Sequence, residues 1–334
     1  MLIKIGIPRA LMYHYYYPAW RVFFEELGLN VILSPETNKD IIDQGIRLAV
    51  DDICLPFKAY YGHILYLKDI VDCLFVPRFI SLGKYNYVCP KFMGLPDMLK
   101  ANIDNLPEMI APVIDLRKGI DPVRRIAHEI GRGFRGNYLS IERAYRKAKN
   151  AYRRFIELQE EGIKTNEAFE LVLKNSKSKK NKIQGKIMNI AVLGHAYLLN
   201  DQFISMGIIN RLEEMGVSVS TVEMYERCWR EKAADKQHKR VFWYFNRQVM
   251  GAAYHLFEKD SIDGIVQVTA FGCGPDSLVK ELIDIESKRR KISVLNINLD
   301  EHSAETGLMT RLEAFVDLIE RRKMREKDKF STYG

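Results

Sequence analysis

Short apolar runs alternate with helical patterns along this chain, and this alternation restricts the fold more than any other feature. Residues 1–118 contain the strand-like runs LIKIGI, NVILS, CLFVPRFI and EMIAPVIDL, and between them lie the helical patterns AWRVFFEELG, NKDIIDQGIRLAV and YYGHILYLKD. Strands that alternate with helices in this way are typical of a parallel sheet with crossover helices. Residues 1–118 therefore predict an N-terminal α/β domain.

A second alternating unit follows a stretch that has no strand signals. Residues 119–175 are charged and helix-periodic, as in ERAYRKAKNAYRRFIELQEEG, and predict a helical bridging segment. Residues 176–186 are rich in Lys, Ser and Asn and predict a basic linker. Residues 187–325 contain the runs IMNIAVLG, VSVSTVEM, GIVQVTAF and ISVLNINL and predict a C-terminal α/β domain.

The predicted fold class is thus α/β, with two doubly wound (Rossmann- or flavodoxin-like) parallel-sheet domains joined by a helical segment. The length of 334 residues suits two domains of common size. Sheets of this kind bind ligands beyond the carboxyl ends of their strands. The cleft between the domains is therefore the expected functional site.

Charge and hydropathy exclude several partners. The formal net charge is +8, but much of the excess lies in KNSKSKKNKIQGK and RRKMREK, which are typical of solvated linkers and tails, so no nucleic acid is expected. A basic surface would equally suit an acidic partner or a phosphorylated small molecule. No apolar run reaches the roughly 18 residues that span a bilayer, and the first residues lack the long apolar core of a signal peptide. We therefore expect a cytoplasmic protein with no membrane partner.

Cys273 lies in VQVTAFGCGPDSLVKEL, where an apolar run gives way to a helical pattern. The flanking Gly272 and Gly274 permit positive φ angles and let the backbone approach a bulky ligand. Pro275 suits the first turn of a helix, where a backbone N–H would have no partner. Cys273 is therefore expected beside a helix N-terminus, whose partial positive charge favours the thiolate that binds metal.

Two other cysteines have comparable surroundings. Cys54 lies in DDICLPFK at the start of a helical pattern, and Cys89 directly precedes a proline in YNYVCPKFMGLPDM. Rigid corners of this kind suit iron–sulfur ligation, although the chain has no CxxC pair and so lacks the standard zinc and ferredoxin spacings. Packing in a core is the alternative for all five cysteines; it fits Cys73 and Cys228 but fits Cys273 poorly. The odd count argues against a disulfide scaffold.

Six segments of the chain together resemble a known family. They are, in order, KIGIPRALMYHYYYPAWRVFFEELGLNVILS, DDICLPFKAYYGHI, VPRF, CPKFMGLPD, FGCGPDS and NLDEHSAETGLMTRLEAF. The family is that of the acyl-CoA dehydratase activase-related proteins, which is similar in turn to the subunits of 2-hydroxyacyl-CoA dehydratases and to double-cubane-cluster proteins. The resemblance covers nearly the whole chain, from about Leu2 to Arg322.

The resemblance implies an oxygen-sensitive iron–sulfur protein whose [4Fe-4S] cluster is held by Cys54, Cys89 and Cys273. In the wider superfamily an activator ATPase drives a low-potential electron into such a cluster, for radical dehydration of a 2-hydroxyacyl-CoA or reduction of a small unreactive molecule. This chain has no GxxxxGK[ST] loop, so it is expected to bind no nucleotide and to depend on an activator ATPase as its partner. With three motif cysteines, a double cubane would require a homodimer mate or a related second subunit.

Three residues after the run ISVLNINL are candidates for proton relay at the same strand-end cleft. They are Asp300, Glu301 and His302, a carboxylate–histidine group that radical dehydration or multi-electron reduction would use. The alternative is that Asp300 and Glu301 begin the following helix as capping and first-turn acids.

Further polar residues are expected near the cleft. Arg9, at the end of the first strand, would hold a phosphate or an anionic cluster, or else form an interdomain ion pair. Lys58 and Arg78 are weaker candidates of the same kind. His195 and Tyr197 follow a strand in GHAYLLND and would face the cleft, unless His195 is a loop histidine with local partners.

The aromatic segment MYHYYYPAW (Met12–Trp20) is expected to pack a helix against the sheet or the facing domain rather than to stack on a ligand. His14, within it, receives no role.

The leading functional hypothesis is a redox protein or enzyme component in which the cluster receives electrons. If it is an enzyme, it would be a lyase of the 2-hydroxyacyl-CoA dehydratase type or a low-potential reductase. One alternative is a non-catalytic electron-transfer or docking module for an activator ATPase. The other is a cluster-free two-domain protein that binds a small molecule, since paired α/β domains also bind ligands without chemistry.

Overall fold

The computed structural model describes residues 2–117, 121–176, 188–237, 239–259 and 261–331. The predicted basic linker at 176–186 lies outside these residues from position 177 onward. Parallel sheets in each half of the described chain, with helices packed around them, confirm the predicted α/β fold class with two Rossmann-like units.

The N-terminal unit is built on a parallel four-stranded sheet. Its elements, in chain order, are β1 (Lys4–Ile7), α1 (Tyr13–Glu26), β2 (Asn30–Leu33), α2 (Lys39–Leu48), α3 (Leu55–Lys68), β3 (Cys73–Phe75), β4 (Arg78–Ser81), α4 (Pro90–Asn102), β5 (Glu108–Ile110) and β6 (Val113–Asp115). The strand order is β2–β1–β3–β5, and Ile5 of β1 pairs with both Val31 and Cys73. Cys73 is buried in this central ladder, as its position in an apolar run predicted.

Two prolines divide what the sequence predicted as single strands. CLFVPRFI forms β3 and β4 on either side of Pro77, and EMIAPVIDL forms β5 and β6 on either side of Pro112. A proline has no N–H to donate to a ladder, so pairing is interrupted where one occurs. The two broken strands remain side by side, because β3 pairs with β5 and β4 pairs with β6. β3 and β5 therefore belong to the four-stranded sheet, and β4 and β6 form a small two-stranded sheet of their own.

The helical bridging segment packs on the N-terminal unit. It consists of α5 (Pro122–Gly133), α6 (Tyr138–Glu160) and α7 (Thr165–Leu173). Buried residues recur along α6 at the three- and four-residue spacing of an amphipathic helix. Phe155 of α6 and Phe169 of α7 share a core cluster with Phe24 of α1. The segment thus covers one face of the first sheet.

The C-terminal unit repeats the parallel arrangement. Its elements are β7 (Met188–Leu193), α8 (Ala196–Leu199), α9 (Ile208–Glu214), β8 (Val217–Thr221), a 3-10 turn (Val222–Met224), α10 (Arg227–Ala234), α11 (Tyr244–Lys259), β9 (Gly264–Ala270), α12 (Gly274–Arg290), β10 (Ser293–Leu299) and α13 (Glu305–Ser331). The strand order is β10–β9–β7–β8, and every residue of β9 is buried. That continuous burial is typical of a central parallel strand covered on both faces.

Two helices depart from the sequence prediction. The pattern DQFISMGIINRLEEMG was expected to be one helix, but α9 begins only at Ile208, because Met206 and Gly207 have positive φ angles of 50° and 67°. Helix α4 was not predicted at all. It begins at Pro90 and includes Pro96, and prolines ordinarily argue against a helix beyond the first turn.

The two units share an apolar core. One continuous cluster contains Tyr60 and Phe92 from the N-terminal unit and Tyr197, Phe245 and Val268 from the C-terminal unit. Apolar side chains from both units therefore pack against one another at the interface. Across the described ranges, no helix combines the length and apolar character needed to cross a membrane.

Candidate metal centre

Three cysteines occupy equivalent positions at the N-termini of three helices. Cys54 is the N-cap residue of α3, Cys89 that of α4 and Cys273 that of α12. Each of the three helices has a proline in its first turn, where the missing N–H removes no helical hydrogen bond. All five cysteines of the chain are free thiols. The local sequence therefore places three of them at helix starts.

The same three cysteines line one small cavity between the two units. Cys54 and Cys89 come from the N-terminal unit, and Cys273 comes from the carboxyl end of the central strand β9. His195 and Asn246 also reach the cavity. The rest of the wall is largely aromatic, with Phe57, Phe92, Tyr197, Trp243, Tyr244 and Phe245. Three cysteines from distant parts of the chain thus line one small, mainly apolar site.

Lys91 connects the three segments that carry these cysteines. It lies two residues after Cys89, and its Nζ donates to the carbonyl oxygen of Asp52 at 3.2 Å and to that of Gly272 at 3.3 Å. These carbonyls precede Cys54 and Cys273 by two residues and one residue. Gly272 has φ +74°, a left-handed conformation that L side chains rarely adopt. The ammonium group therefore holds the corners in place and adds a positive charge beside the thiols.

Burial keeps the thiols neutral in the metal-free protein. It raises the pKa of Cys54 to about 11 and also raises the pKa of Cys89, while the nearby Lys91 opposes both shifts. The pKa of Cys273 is raised furthest, by burial and by the Asp276 carboxylate. The helix N-terminus led us to expect a thiolate at Cys273, but burial keeps this thiol protonated when no metal is bound. A metal that bound here would have to displace protons, as is usual for cysteine ligands.

His195 and Asp276 form a buried pair beside Cys273. The Nε2 atom of His195 lies 2.7 Å from Asp276 Oδ1, and the Asn246 amide donates to the same oxygen at 2.6 Å. The ring of Tyr197 stacks on His195 with centroids 4.9 Å apart. Asp276 stands in the first turn of α12, three residues after the cysteine. These contacts fix the imidazole and the carboxylate against the wall of the cavity.

This group could bind a metal ion. One donor atom each from His195, Cys273 and Asp276 lie within 4.8 Å of one another. His195 Nδ1 and Asp276 Oδ2 are buried, and neither has a hydrogen-bond partner within the described part of the chain. Sequence reasoning proposed His195 but missed Asp276 and Asn246. The cysteine–proline–aspartate order in GCGPDS, with aspartate in the first helical turn, was the signal for Asp276.

The residues predicted for proton relay lie apart from the cysteines. Asp300 and Glu301 line a different cavity, and His302 is exposed. Asp300 accepts hydrogen bonds from the His302 N–H and from the Ser303 hydroxyl, so it stabilises its own turn. Glu301 pairs with Lys58 across the interface between the units. The structure thus brings two predicted residues together as an ion pair that links the halves.

Arg9 and Arg78 also lie away from the cysteine cavity. Arg78 makes a bidentate pair with Asp97, with both bonds at 2.7 Å. Arg9 lines a third cavity, together with His14. Much of the aromatic segment packs as expected, since Tyr16 stacks on Phe79 with ring centroids 5.7 Å apart.

Fold and site together define a class: a two-unit α/β protein with a candidate metal centre of cysteines at the interface. The chain belongs to the family described as CoA enzyme activase uncharacterised domain (DUF2229), which matches residues 4–225. This confirms the resemblance to acyl-CoA dehydratase activase-related proteins. The matched region contains Cys54, Cys89 and His195 and ends before Cys273. No curated protein matches the chain.

Proposed function

We propose that this chain is an iron–sulfur redox protein in which Cys54, Cys89 and Cys273 hold a [4Fe-4S] cluster. The observation that carries the proposal is the convergence of these cysteines, each at the start of a different helix, on one cavity. Thiolates are the usual protein ligands of such clusters. A set of three cysteines leaves one iron position for another ligand.

The surroundings of the thiols support a bound anionic group. Each of the three helix N-termini contributes backbone N–H groups and partial positive charge, which favour anions. The aromatic wall keeps water away, which strengthens electrostatic interactions inside the site. Lys91 adds a full charge, and its contacts to the Asp52 and Gly272 carbonyls hold the corners together.

Two further residues, His195 and Asp276, fit the iron position that the three cysteines leave open. When bound, a cluster of this kind would supply one low-potential electron. His195 and Asp276 offer nitrogen and oxygen ligands within 4.8 Å of the Cys273 sulfur. Tyr197 and Asn246 restrict how these two side chains move. We assign His195 and Asp276 to this position in place of Asp300, Glu301 and His302.

The family suggests the system in which the protein works. Its description names a CoA enzyme activase, which supports a system that processes CoA esters. In our proposal the chain is the cluster-bearing component of a 2-hydroxyacyl-CoA dehydratase-like or double-cubane reductase-like system, and an activator ATPase is its electron donor. A second copy of the chain, or a related subunit, would complete any double cubane.

Metal analysis under anaerobic conditions tests the cluster. Protein purified without oxygen is expected to contain about four irons and as many sulfides per chain, with broad absorption at roughly 400 nm. Serine in place of Cys54, Cys89 or Cys273 should lower the iron content strongly, whereas the controls Cys73→Ser and Cys228→Ser should retain it. Equal losses in all five variants, or stoichiometric zinc without sulfide, would overturn the assignment.

Turnover separates an enzyme from an electron carrier. Reduced, cluster-loaded protein with a competent activator ATPase is expected to consume a 2-hydroxyacyl-CoA or a small reducible molecule. If such protein accepts electrons yet consumes neither, the chain acts as an electron-transfer module for its activator.

A further inference from the structure

The cavity lined by Arg9 and His14, of about 270 Å³, lies where three parts of the chain meet. Arg9 and His14 come from the segment between β1 and α1 and the start of α1, Phe169 comes from α7, and Asp201 comes from the turn before α9. None of its lining residues lines the cysteine cavity. Its volume is just below the range typical of drug-sized ligands, which suits a small molecule. Nothing proposed above uses this cavity.

Buried polar atoms around this cavity are left without partners. Arg9 Nε and both ring nitrogens of His14 are buried and have no hydrogen-bond partner among the residues that the structure describes. His14 is only 4% exposed. An unsatisfied buried polar group costs about 1–3 kcal/mol of stability, so native proteins rarely retain several at one place without a ligand. The pattern therefore points to a molecule that accepts hydrogen bonds from these groups.

Arg9 places a positive charge beside the buried imidazole of His14. Burial and the charge of Arg9 lower the pKa of His14 to about 3. Burial, His14 and Arg9 likewise lower the pKa of His63 to about 3. Arg9 Nη1 lies 3.6 Å from Glu36 Oε1. The Glu36 side chain is 86% exposed, so solvent screens the charge of this carboxylate. The wall also contains Arg21 and Glu170; Glu36 and Glu170 are both exposed, so Asp201 is the buried acid among the lining residues.

The buried acid of the cavity already has its own donors. Asp201 Oδ1 accepts from the backbone N–H groups of Phe203 and Ile204 at 3.1 Å, and Oδ2 accepts from the Thr37 hydroxyl. Thr37 in turn contacts His63 Nε2 at 3.0 Å. Asp201 therefore does not use Arg9 as its partner, and the guanidinium, whose ion pair with the exposed Glu36 is screened by solvent, remains able to bind a ligand.

We propose that this cavity binds a small oxyanion-bearing molecule, with Arg9 and His14 as its hydrogen-bond donors. The guanidinium would pair with the phosphate or carboxylate group in a charge-assisted contact, and the neutral imidazole would donate its single N–H. Tyr13 and Phe169 would enclose the rest of the molecule. The ligand would contact both units of the chain, because Asp201 belongs to the C-terminal one.

Isothermal titration of the full chain with inorganic sulfate and, separately, with malonate tests the site. Sulfate is the tetrahedral probe and malonate the carboxylate probe, and saturable binding of either one is expected. Arg9→Met should weaken binding by roughly tenfold or more, since it removes a charge-assisted hydrogen bond. Arg125→Met, at an exposed position on α5, is the matched control and should bind like the wild type.

Two further variants sharpen the result. Asp201→Asn removes a negative charge from the wall and should strengthen binding of the same anion. His14→Phe should fold and should weaken binding several-fold through loss of one hydrogen bond. The proposal would be overturned if neither anion bound at millimolar concentration, if Arg9→Met bound like wild type, or if Asp201→Asn weakened binding. These measurements do not require iron in the protein, so they are independent of the cluster.

Discussion

Replacing His14 by phenylalanine should make the protein more stable and less sensitive to acid. The imidazole is buried at the start of α1 and packs edge-on against Tyr13, with ring centroids 5.1 Å apart. Phenylalanine has nearly the same shape and no nitrogen to leave unsatisfied. At neutral pH the variant should therefore gain about 1–3 kcal/mol in the free energy of unfolding.

The pH dependence of stability gives a second quantity, the unfolding free energy that the chain loses in acid because of His14. The pKa of His14 is lowered by burial from 6.5 to about 3, so the folded chain binds fewer protons than the unfolded chain between these values. Stability from this histidine is complete above its unfolded pKa and is lost as the pH falls below it. Between pH 7 and pH 5 the loss is about 2 kcal/mol. The His14→Phe variant should lack that loss.

Urea unfolding at pH 7, 6 and 5, in a buffer without sulfate or phosphate, measures both effects. Arg9 and His63 lie near His14, and Asp201 lies in the same cavity, but all three remain in the variant, so their own contributions largely cancel in the comparison. His302→Phe is the control, because His302 is exposed. Parallel pH profiles for wild type and His14→Phe would refute the reasoning, since they would mean that the imidazole is protonated freely in the folded state.

Three further predictions concern the cysteine corners and the interface. Lys91→Met should lose iron to a chelator several-fold faster than wild type, because it lacks the two hydrogen bonds to the backbone carbonyls. Lys91→Arg should stay close to wild type. Identical rates of iron loss for all three proteins would contradict the connecting role of Lys91. Gly272→Ala should cost about 1–2 kcal/mol in urea unfolding because of its positive φ, whereas Gly274→Ala, whose added Cβ meets nothing within 4 Å, should be near neutral. Lys58→Met should cost about 3 kcal/mol in the free energy of unfolding by leaving the Glu301 carboxylate unpaired, and adding Glu301→Gln should recover part of it. A double variant as unstable as the sum of the single ones would argue against the ion pair.

Much of the fold could be predicted because its signals are local. Alternating apolar and helical patterns depend only on neighbouring residues, and they predicted the parallel strands of both units. The corners at Cys54 and Cys273 were also local, since each combines cysteine with proline in the first helical turn. The breaks at Pro77 and Pro112 could have been predicted from the same rule of proline chemistry, but the apolar runs around them suggested continuous strands.

Long-range contacts were harder to predict. The bond from Lys91 to the Gly272 carbonyl joins positions 181 residues apart, and no spacing in the sequence indicates it. His14 received no role from the sequence, and only the assembled interface shows that its nitrogens lack partners among the described residues. Asp300, Glu301 and His302 do follow a strand end, as predicted, and β10 pairs directly with β9, but Asp300 and Glu301 line a different cavity from Cys273.

The division of the three cysteines between the two units also determines when, during synthesis and folding, all three can come together. Cys54 and Cys89 emerge early from the ribosome, whereas Cys273 follows a central strand that pairs with β7 and β10. The nascent N-terminal unit therefore carries two thiols of an incomplete set until the last part of the chain has been synthesised and has docked. If these cysteines hold the proposed cluster, its assembly would have to be a late, post-translational step, and either half expressed by itself should remain empty.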